Sequence, residues 1–558
     1  MMSHTRESQP PLEYDAVVVG AGMGGLYALK RLRDQGLTVL GLEGAPDVGG
    51  VWWHNRYPGA RVDVESIAYC YFFDPELYKE WHWSERYAAQ PEIQAYLSHV
   101  ADRYDIRSQF RFSTWLTEAV WDPARERYDL ITDAGDRVSA RFLIMATGQL
   151  SRSRPITFPG LDEFEGEWMQ TSHWPENPPE LAGKRVGIIG TGASGVQVIQ
   201  TIASEVGELT VFQRTANYSI PAQNHVTNES KHAEISADVP GYWQTLQGLG
   251  GAAQMPGPAG KAADLTPEQQ QEALESHWEF GGHAMNLVFS DQLTDIDSNT
   301  LVGDFVRAKV REKVKDPEIA KILTPHEYPI GARRIGVDIG YYEVFNRDNV
   351  KLVDVKADPI ERITRTGIQT KNGHYDLDVI IFSLGFNAFT GAIDQSGIRN
   401  ELGETPTSRW KRGPRTYIGL MTAGFPNLFL LTAPGSPSVL ANMIVGNVQH
   451  ADYVGDIIQH MEDNGFGTVS VSPEAEDEWR EVVEAAAAPL IRRQVENYMV
   501  HVNEDGTRIF QPYPGGYQNY VQKVEDIKRD GFRGFDFAGS TGAGTDAALA
   551  ATSHGGRA

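Results

Sequence analysis

Cysteine is nearly absent. The 558-residue chain has one, Cys70, which excludes an internal disulfide, a CxxC redox pair and any multi-thiolate metal or iron–sulfur centre; no metal site is expected. Positive charge is also scarce. Against 74 Asp and Glu stand 50 Lys and Arg, a formal net charge of −24. That surplus repels nucleic acid and anionic membrane, so neither is expected as a partner, and nothing indicates a protein partner. No stretch reaches the roughly 18 apolar residues of a membrane span. The first residues, MMSHTRESQPPLEYD, lack the apolar run of a signal peptide. A cytoplasmic chain is the expectation, and a single cysteine fits a reducing compartment.

What remains is globular. Hydrophobic residues at 41% and charged residues at 22% place the chain among folded sequences, and its length suggests about three or four domain-sized units. Short apolar runs alternate with helical patterns, which argues for an α/β protein with parallel sheets. Residues 224–330 differ. There LTPEQQQEALESHWEF and LVGDFVRAKVREKVKDPEIAKIL carry helical periodicity and few strand signals, so a helical insertion is expected. Within it GLGGAAQMPGPAG reads as a flexible loop. Residues 536–558, rich in small side chains, read as a flexible tail.

One pattern occurs twice. YDAVVVGAGMGGLYALKRLRDQGLTVLGLEG and KRVGIIGTGASGVQVIQTIASEVGELTVFQRT each read as strand, glycine turn, helix and strand, so two Rossmann-like dinucleotide-binding folds are expected. In the first, Gly20 permits the tight turn, Gly22 lets backbone approach a pyrophosphate, and Gly25 lets helix pack on strand. The helix N-terminus then presents unpaired N–H groups to phosphates. Glu43 ends the second strand, where a carboxylate accepts hydrogen bonds from ribose hydroxyls; an acid-ended first site suits FAD. In the second unit Gly190, Gly192 and Gly195 repeat the turn. The position equivalent to Glu43 is Gln213, followed by Arg214. An acid there would repel a 2′-phosphate, whereas Arg214 pairs with it, so this site is expected to take NADPH rather than NADH.

Two nucleotide sites imply hydride flow from NADPH to a flavin. Disulfide reduction is closed to a chain with one cysteine, which leaves dioxygen as the obvious acceptor. Longer motifs then carry a resemblance. GGVWWHNRYPGARVDVES, ATGQLSRSRPITFPGLDEFEG, IGARRIGVDIGYYEVFNRDNV, GPRTYIGLMTAGFPNLF and APGSPSVLANM occur in the order found in type I Baeyer–Villiger monooxygenases. Over about residues 14–535 the chain resembles the phenylacetone and steroid monooxygenase group of that family.

The resemblance implies an FAD domain split between residues 14–150 and 388–535. An NADPH domain split between 151–223 and 331–387 surrounds the insertion. It implies a C4a-peroxyflavin that attacks a ketone to give an ester or lactone, with dioxygen as co-substrate. Arg334 matches the arginine that stabilises the flavin peroxide, and Asp63 the carboxylate that orients it. Arg333 matches a basic residue that grips the 2′-phosphate beside Arg214 and Thr215. Val51, Trp52, Tyr69, Leu116 and Met443 match flavin-contacting positions. Thr191, Gly192, Ala193, Ser194 and Gln197 are expected along the NADPH phosphates. Tyr498 stands near nicotinamide and substrate, where the family often has tryptophan.

The chain also departs from the family. The fingerprint FxGxxxHxxxW reads Phe164, Gly166, Gln170, Trp174, so Gln170 replaces the histidine. Glutamine hydrogen-bonds but does not titrate near neutral pH, and it is expected to keep a structural hydrogen bond in an active enzyme. SLGFN, ending at Asn387, replaces the usual ATGFD, and Ala433 stands where glycine is common. Two other readings stay open on the residues: an N- or S-oxygenating flavin monooxygenase, and an uncoupled NADPH oxidase or non-oxygenating flavin-binding homologue.

Overall fold

A computed structural model describes residues 11–539. Its first sheet follows from runs such as AVVV and FLIM, whose side chains are buried on both faces, as expected of strands covered on two sides. In spatial order the strands are Ile398–Arg399, Leu116–Asp122, Arg127–Thr132, Arg137–Met145, Leu12–Val19, Val39–Leu42 and Phe110–Arg111, with Leu428–Leu430 also paired to Arg137–Met145. Leu12–Val19 runs parallel to Val39–Leu42 and Arg137–Met145, and the two strands before Arg137–Met145 join it as an antiparallel meander. Both ends of the chain therefore build this sheet. Helix Met443–Asn464 packs on helix Met23–Asp34, with the Tyr27 hydroxyl donating to Asp452 at 2.8 Å.

The second sheet is wholly parallel, in the order Val350–Asp354, Glu208–Gln213, Arg185–Ile189, Val379–Phe382, Glu167–Gln170. Helix Ala193–Ile202 follows its second glycine turn. Strands Ser219–Pro221 and Gly336–Asp338 pair in parallel and bracket the expected insertion. Between them run helices Glu229–Ala237, Val239–Gln247, Pro267–Phe280, Ile296–Lys313 and Pro317–Leu323.

The first sheet starts at Leu12, where strand Leu12–Val19 already pairs with Val138. Two sequence readings need correction. The stretch 248–260 is pinned rather than loose: the Asn442 and Tyr517 amides donate to the carbonyls of Gly251 and Gly250, and Ala252 is fully buried. The expected tail from 536 begins as strand, since Phe535–Gly539 pairs antiparallel with Phe466–Val471; residues 540–558 of that tail lie outside the described residues.

The two crossings between the sheets are laced together. The Arg154 amide donates to Gly385 O, the Asn387 amide to Arg152 O and the Phe389 amide to Gln149 O. Gln170 closes this seam by donating from Nε2 to Arg154 O at 2.9 Å. The expected structural hydrogen bond of Gln170 is thus present, and the backbone of Asn387 supplies another.

Candidate active site

The first glycine turn has the geometry its spacing requires. Gly20 has φ +108°, and a Cβ there would sit 2.6 Å from Ala146 O. At Gly25 a Cβ would collide with the Gly20 carbonyl, so the helix lies hard against the turn. Gly190 (φ +106°) and Gly195 repeat both features. A Cβ at Gly192 meets nothing within 4 Å, leaving open space in front of the N-terminus of helix Ala193–Ile202. Both turns fit a pyrophosphate.

Glu43 is 7% exposed. Its carboxylate accepts from the amides of Ala21 (2.6 Å) and Ala45 (2.7 Å). Burial pushes its pKa up, against the pull of those amides. It therefore locks the turn as well as ending the strand. Trp115, more than half exposed, lies with its ring against Gly44 beside it. Sequence reasoning passed over this residue; its signal was an exposed tryptophan next to the strand end that holds Leu116. Leu116 itself is buried in the cluster with Leu40 and Leu42.

The segment from Gly49 turns through two positive-φ glycines, Gly49 and Gly50, into the short helix Val51–His54. Val51 is exposed, and Trp52 packs edge-on to Tyr69 and donates from Nε1 to its hydroxyl at 3.3 Å. Met443 opens the helix that docks on the first turn.

At the second turn Thr191 donates to Thr215 O at 3.2 Å. Arg214 projects outward, as a 2′-phosphate partner requires. Arg333 lies over the Tyr328 ring at 4.6 Å and donates to Glu496 O. Ser194 is half-buried and Ala193 exposed at the helix start. Gln197 has protein partners that its spacing does not foretell. Its Oε1 accepts from the Tyr57 hydroxyl at 2.8 Å and its Nε2 donates to Arg61 O at 3.1 Å, so its amide ties the second glycine turn's helix to the segment 57–61. The side chain lies one helical turn beyond the phosphate end, where the nearest polar groups belong to the flavin-side segment.

Asp63 and Arg334 meet between these faces. Arg334 Nε and Nη2 each donate to Asp63 at 2.8 Å, and Nη1 donates to Val439 O at 2.9 Å. Burial disfavours the Asp63 charge, but the Arg334 guanidinium and His283 outweigh it and hold the carboxyl well below its ordinary value. Burial pulls Arg334 down while Asp63 raises it, and the net direction is up. His283 Nε2, 3.3 Å from Asp63, comes from the helical insertion and carried no signal in the sequence. Tyr498 adds its hydroxyl to Arg334; burial raises its pKa, with Arg334 opposing. Cys70 is a buried free thiol whose pKa burial drives up, so it is no redox nucleophile.

One further cluster stands elsewhere. The ligand atoms of His82, Glu229 and His232 lie within 4.8 Å of one another, although no metal was expected from the sequence. Among the described residues no helix is long and apolar enough to cross a membrane.

Two nucleotide turns flanking a charge-paired arginine define a two-nucleotide flavoprotein oxidoreductase. Residues 14–240 match the family model described as pyridine nucleotide-disulphide oxidoreductase. The chain is 45% identical to a steroid monooxygenase solved with NADP, at a TM-score of 0.91, over 95% of this chain and 100% of that one. Cyclohexanone monooxygenase from Rhodococcus sp. Phi1, bound to NADP+, superposes at 0.92 with 36% identity over the same shares. The 2-oxo-Δ3-4,5,5-trimethylcyclopentenylacetyl-CoA monooxygenase of Pseudomonas putida is 37% identical over 96% of this chain and 99% of its own. The chain belongs to the type I Baeyer–Villiger monooxygenases. It is an FAD- and NADPH-dependent enzyme that inserts one oxygen atom of dioxygen beside a ketone carbonyl, giving an ester or lactone.

Proposed function

We propose that Arg334 is the residue on which this oxygen insertion turns. Three of the five N–H groups of a guanidinium are taken by Asp63 and Val439 O. Two remain, one on each terminal nitrogen, for the Tyr498 hydroxyl and for an oxygen that gains negative charge. A fixed guanidinium stays protonated and needs no reorganisation as that charge develops. Asp63 fixes its plane, and His283 fixes Asp63. Tyr498 closes one side with an aromatic face and a hydroxyl. When bound, FAD supplies hydride acceptance from NADPH and the activation of dioxygen.

The proposed cofactor contacts follow the same geometry. Gly20, Gly22, Gly25 and Glu43 hold the FAD phosphates and ribose, with Val51, Trp52, Tyr69 and Met443 along the isoalloxazine and Leu116 beneath the sheet edge. Gly190, Thr191, Gly192, Ala193, Ser194 and Gly195 receive the NADPH pyrophosphate. Arg214, Thr215 and Arg333 receive the 2′-phosphate. Residues 14–150 with 388–535 form the FAD domain; 151–223 with 331–387 form the NADPH domain. The substrate is a ketone, met without a protein partner. A cytoplasmic setting is supported by the single, buried cysteine.

The observation that carries this reading is the bidentate Arg334–Asp63 pair set between the two nucleotide turns. The test is a balance of products. Holoenzyme is given NADPH, air and a panel of ketones, and NADPH consumed, ester formed and hydrogen peroxide released are measured together. Ester in near step with NADPH supports the reading; peroxide without ester from every ketone overturns it.

A further inference from the structure

The 3-10 turn Ile491–Gln494 carries two neighbouring arginines with opposite fates. Arg493 has a counter-charge: its Nη2 donates to Glu484 at 2.7 Å and to Arg508 O at 3.2 Å, although its Nε is also buried without a partner. Arg492 makes no ion pair or side-chain hydrogen bond among the described residues, and its Nε is buried without a partner. The turn is not loose. The Ile491 amide donates to Leu293 O in the helical insertion, and Asn497 Nδ2 donates to Arg492 O and Val495 O, both at 2.9 Å.

The position of Arg492 is specific. Its Nη2 lies 3.9 Å from where a Cβ on Gly331 would sit, and that point is 2.8 Å from Asn286 Oδ1. Asn286 Oδ1 is likewise buried without a partner. Gly331 begins the stretch that delivers Arg333 and Arg334, and Arg492 lies within electrostatic reach of both Arg334 and Tyr498. Burial, with Arg334 adding repulsion, pushes Arg492 down to about 10, which leaves it protonated at neutral pH. An enclosed cation beside a second cation is costly without a counter-charge, so the site is short of one anion.

We propose that Arg492 receives an oxyanion carried by the ketone substrate, so that the preferred substrates are ketones bearing a carboxylate. This rests on the reading of Arg334 as the reacting end of the site. The competing source of an oxyanion is the dinucleotide. Its phosphates already have the Gly190–Gly195 turn, Arg214 and Arg333, whereas Arg492 stands with Tyr498 at the Arg334 end. A carboxylate accepts two parallel N–H bonds from a guanidinium, which would satisfy the orphaned Nε and an Nη together.

The test compares 4-oxocyclohexanecarboxylate with its methyl ester, using the FAD-loaded enzyme with NADPH at neutral pH. The expected wild-type preference in kcat/KM for the acid is about 10-fold or more, the range of one hydrogen-bonded charge pair. Arg492→Leu brings that ratio to near one, and Arg492→Lys restores part of it, with the KM for NADPH unmoved in both. Equal kcat/KM for acid and ester in the wild type overturns the proposal, as does a rise in NADPH KM that accounts for the loss. Calorimetric binding of the acid to holoenzyme with NADP+ separates the two readings. Arg492-dependent binding without any lactone formed would retain the anion site and discard Arg334 as the reacting end. Lactone formed from the ester with no preference for the acid would do the reverse.

Discussion

Arg334 and Asp63 are 271 residues apart in the chain and face each other through two hydrogen bonds of 2.8 Å. The pair works as a unit, because Asp63 supplies both the counter-charge and the orientation. A buried ion pair is weak support for stability, yet it fixes a guanidinium plane well.

Arg334→Ala is expected to lower ester formation about 10²–10³-fold, the usual cost of removing a donor aimed at a developing anion, while bound FAD is still bleached by NADPH. Asp63→Asn removes the counter-charge and one of the two acceptors that fix the plane of Arg334, and gives a loss of similar order. Because one residue acts through the other, the double variant is expected to be little worse than Arg334→Ala alone. Steady-state product analysis on the four proteins checks this, and additive losses would show that Asp63 has a separate job.

Arg214→Ala is expected to raise the KM for NADPH about 10- to 100-fold and leave NADH nearly unchanged, since only the phosphorylated ribose presents the dianion. The ratio of kcat/KM for the two coenzymes is the readout. Equal loss with both would move Arg214 out of the 2′-phosphate site.

Gln170→His is expected to change NADPH-driven turnover by less than about threefold, because Gln170 acts through one donated bond to Arg154 O, and an imidazole N–H can replace it. Gln170→Leu removes the donor and is expected to lower the unfolding midpoint, a net hydrogen bond being worth about 1 kcal/mol. A gain of orders of magnitude in Gln170→His would show that titration at this position matters to the catalytic cycle.

Acid is expected to destabilise the fold through two histidines. Burial holds His450 down to about 3 and His54 to about 4, against an ordinary 6.5; repulsion from His173 adds to the shift at His54. His450 Nδ1 accepts the Thr432 amide at 3.0 Å and Nε2 meets the Tyr520 hydroxyl at 2.6 Å, so it folds as the neutral ring. The unfolded chain takes the proton below about 6.5 and the folded one does not. Each contribution is therefore complete above that pH and is lost as pH falls toward 3 or 4. For His450 alone this is about 2 kcal/mol at pH 5, read as a fall in urea midpoint from pH 7.5 to 5. His450→Gln is expected to flatten that slope.

Local physics made the two nucleotide turns legible in the sequence. Gly20 and Gly190 need positive φ, and Gly25 and Gly195 need the absence of a Cβ; both are properties of single residues at fixed spacing. The helical insertion was legible because periodicity survives without knowledge of neighbours. The start of the tail was misread because a strand at 535–539 depends on a partner at 466–471, and composition says nothing of partners. Gln197 shows what spacing leaves out: its distance from Gly190 points to phosphates, and only the fold adds Tyr57 and Arg61 as partners of its amide.

The sequence by itself determined the two glycine turns, the arginine that follows the second strand and, through its one cysteine, that disulfide chemistry is closed to this chain. The tertiary structure alone decided which groups converge on Arg334. Asp63 comes from the first domain, His283 from the insertion, Val439 and Tyr498 from the returning C-terminal half. Their separations along the chain carry no periodic signal, and only packing brings them together. It also decided that Arg493 found a carboxylate and Arg492 did not, a distinction that two adjacent arginines cannot express in sequence.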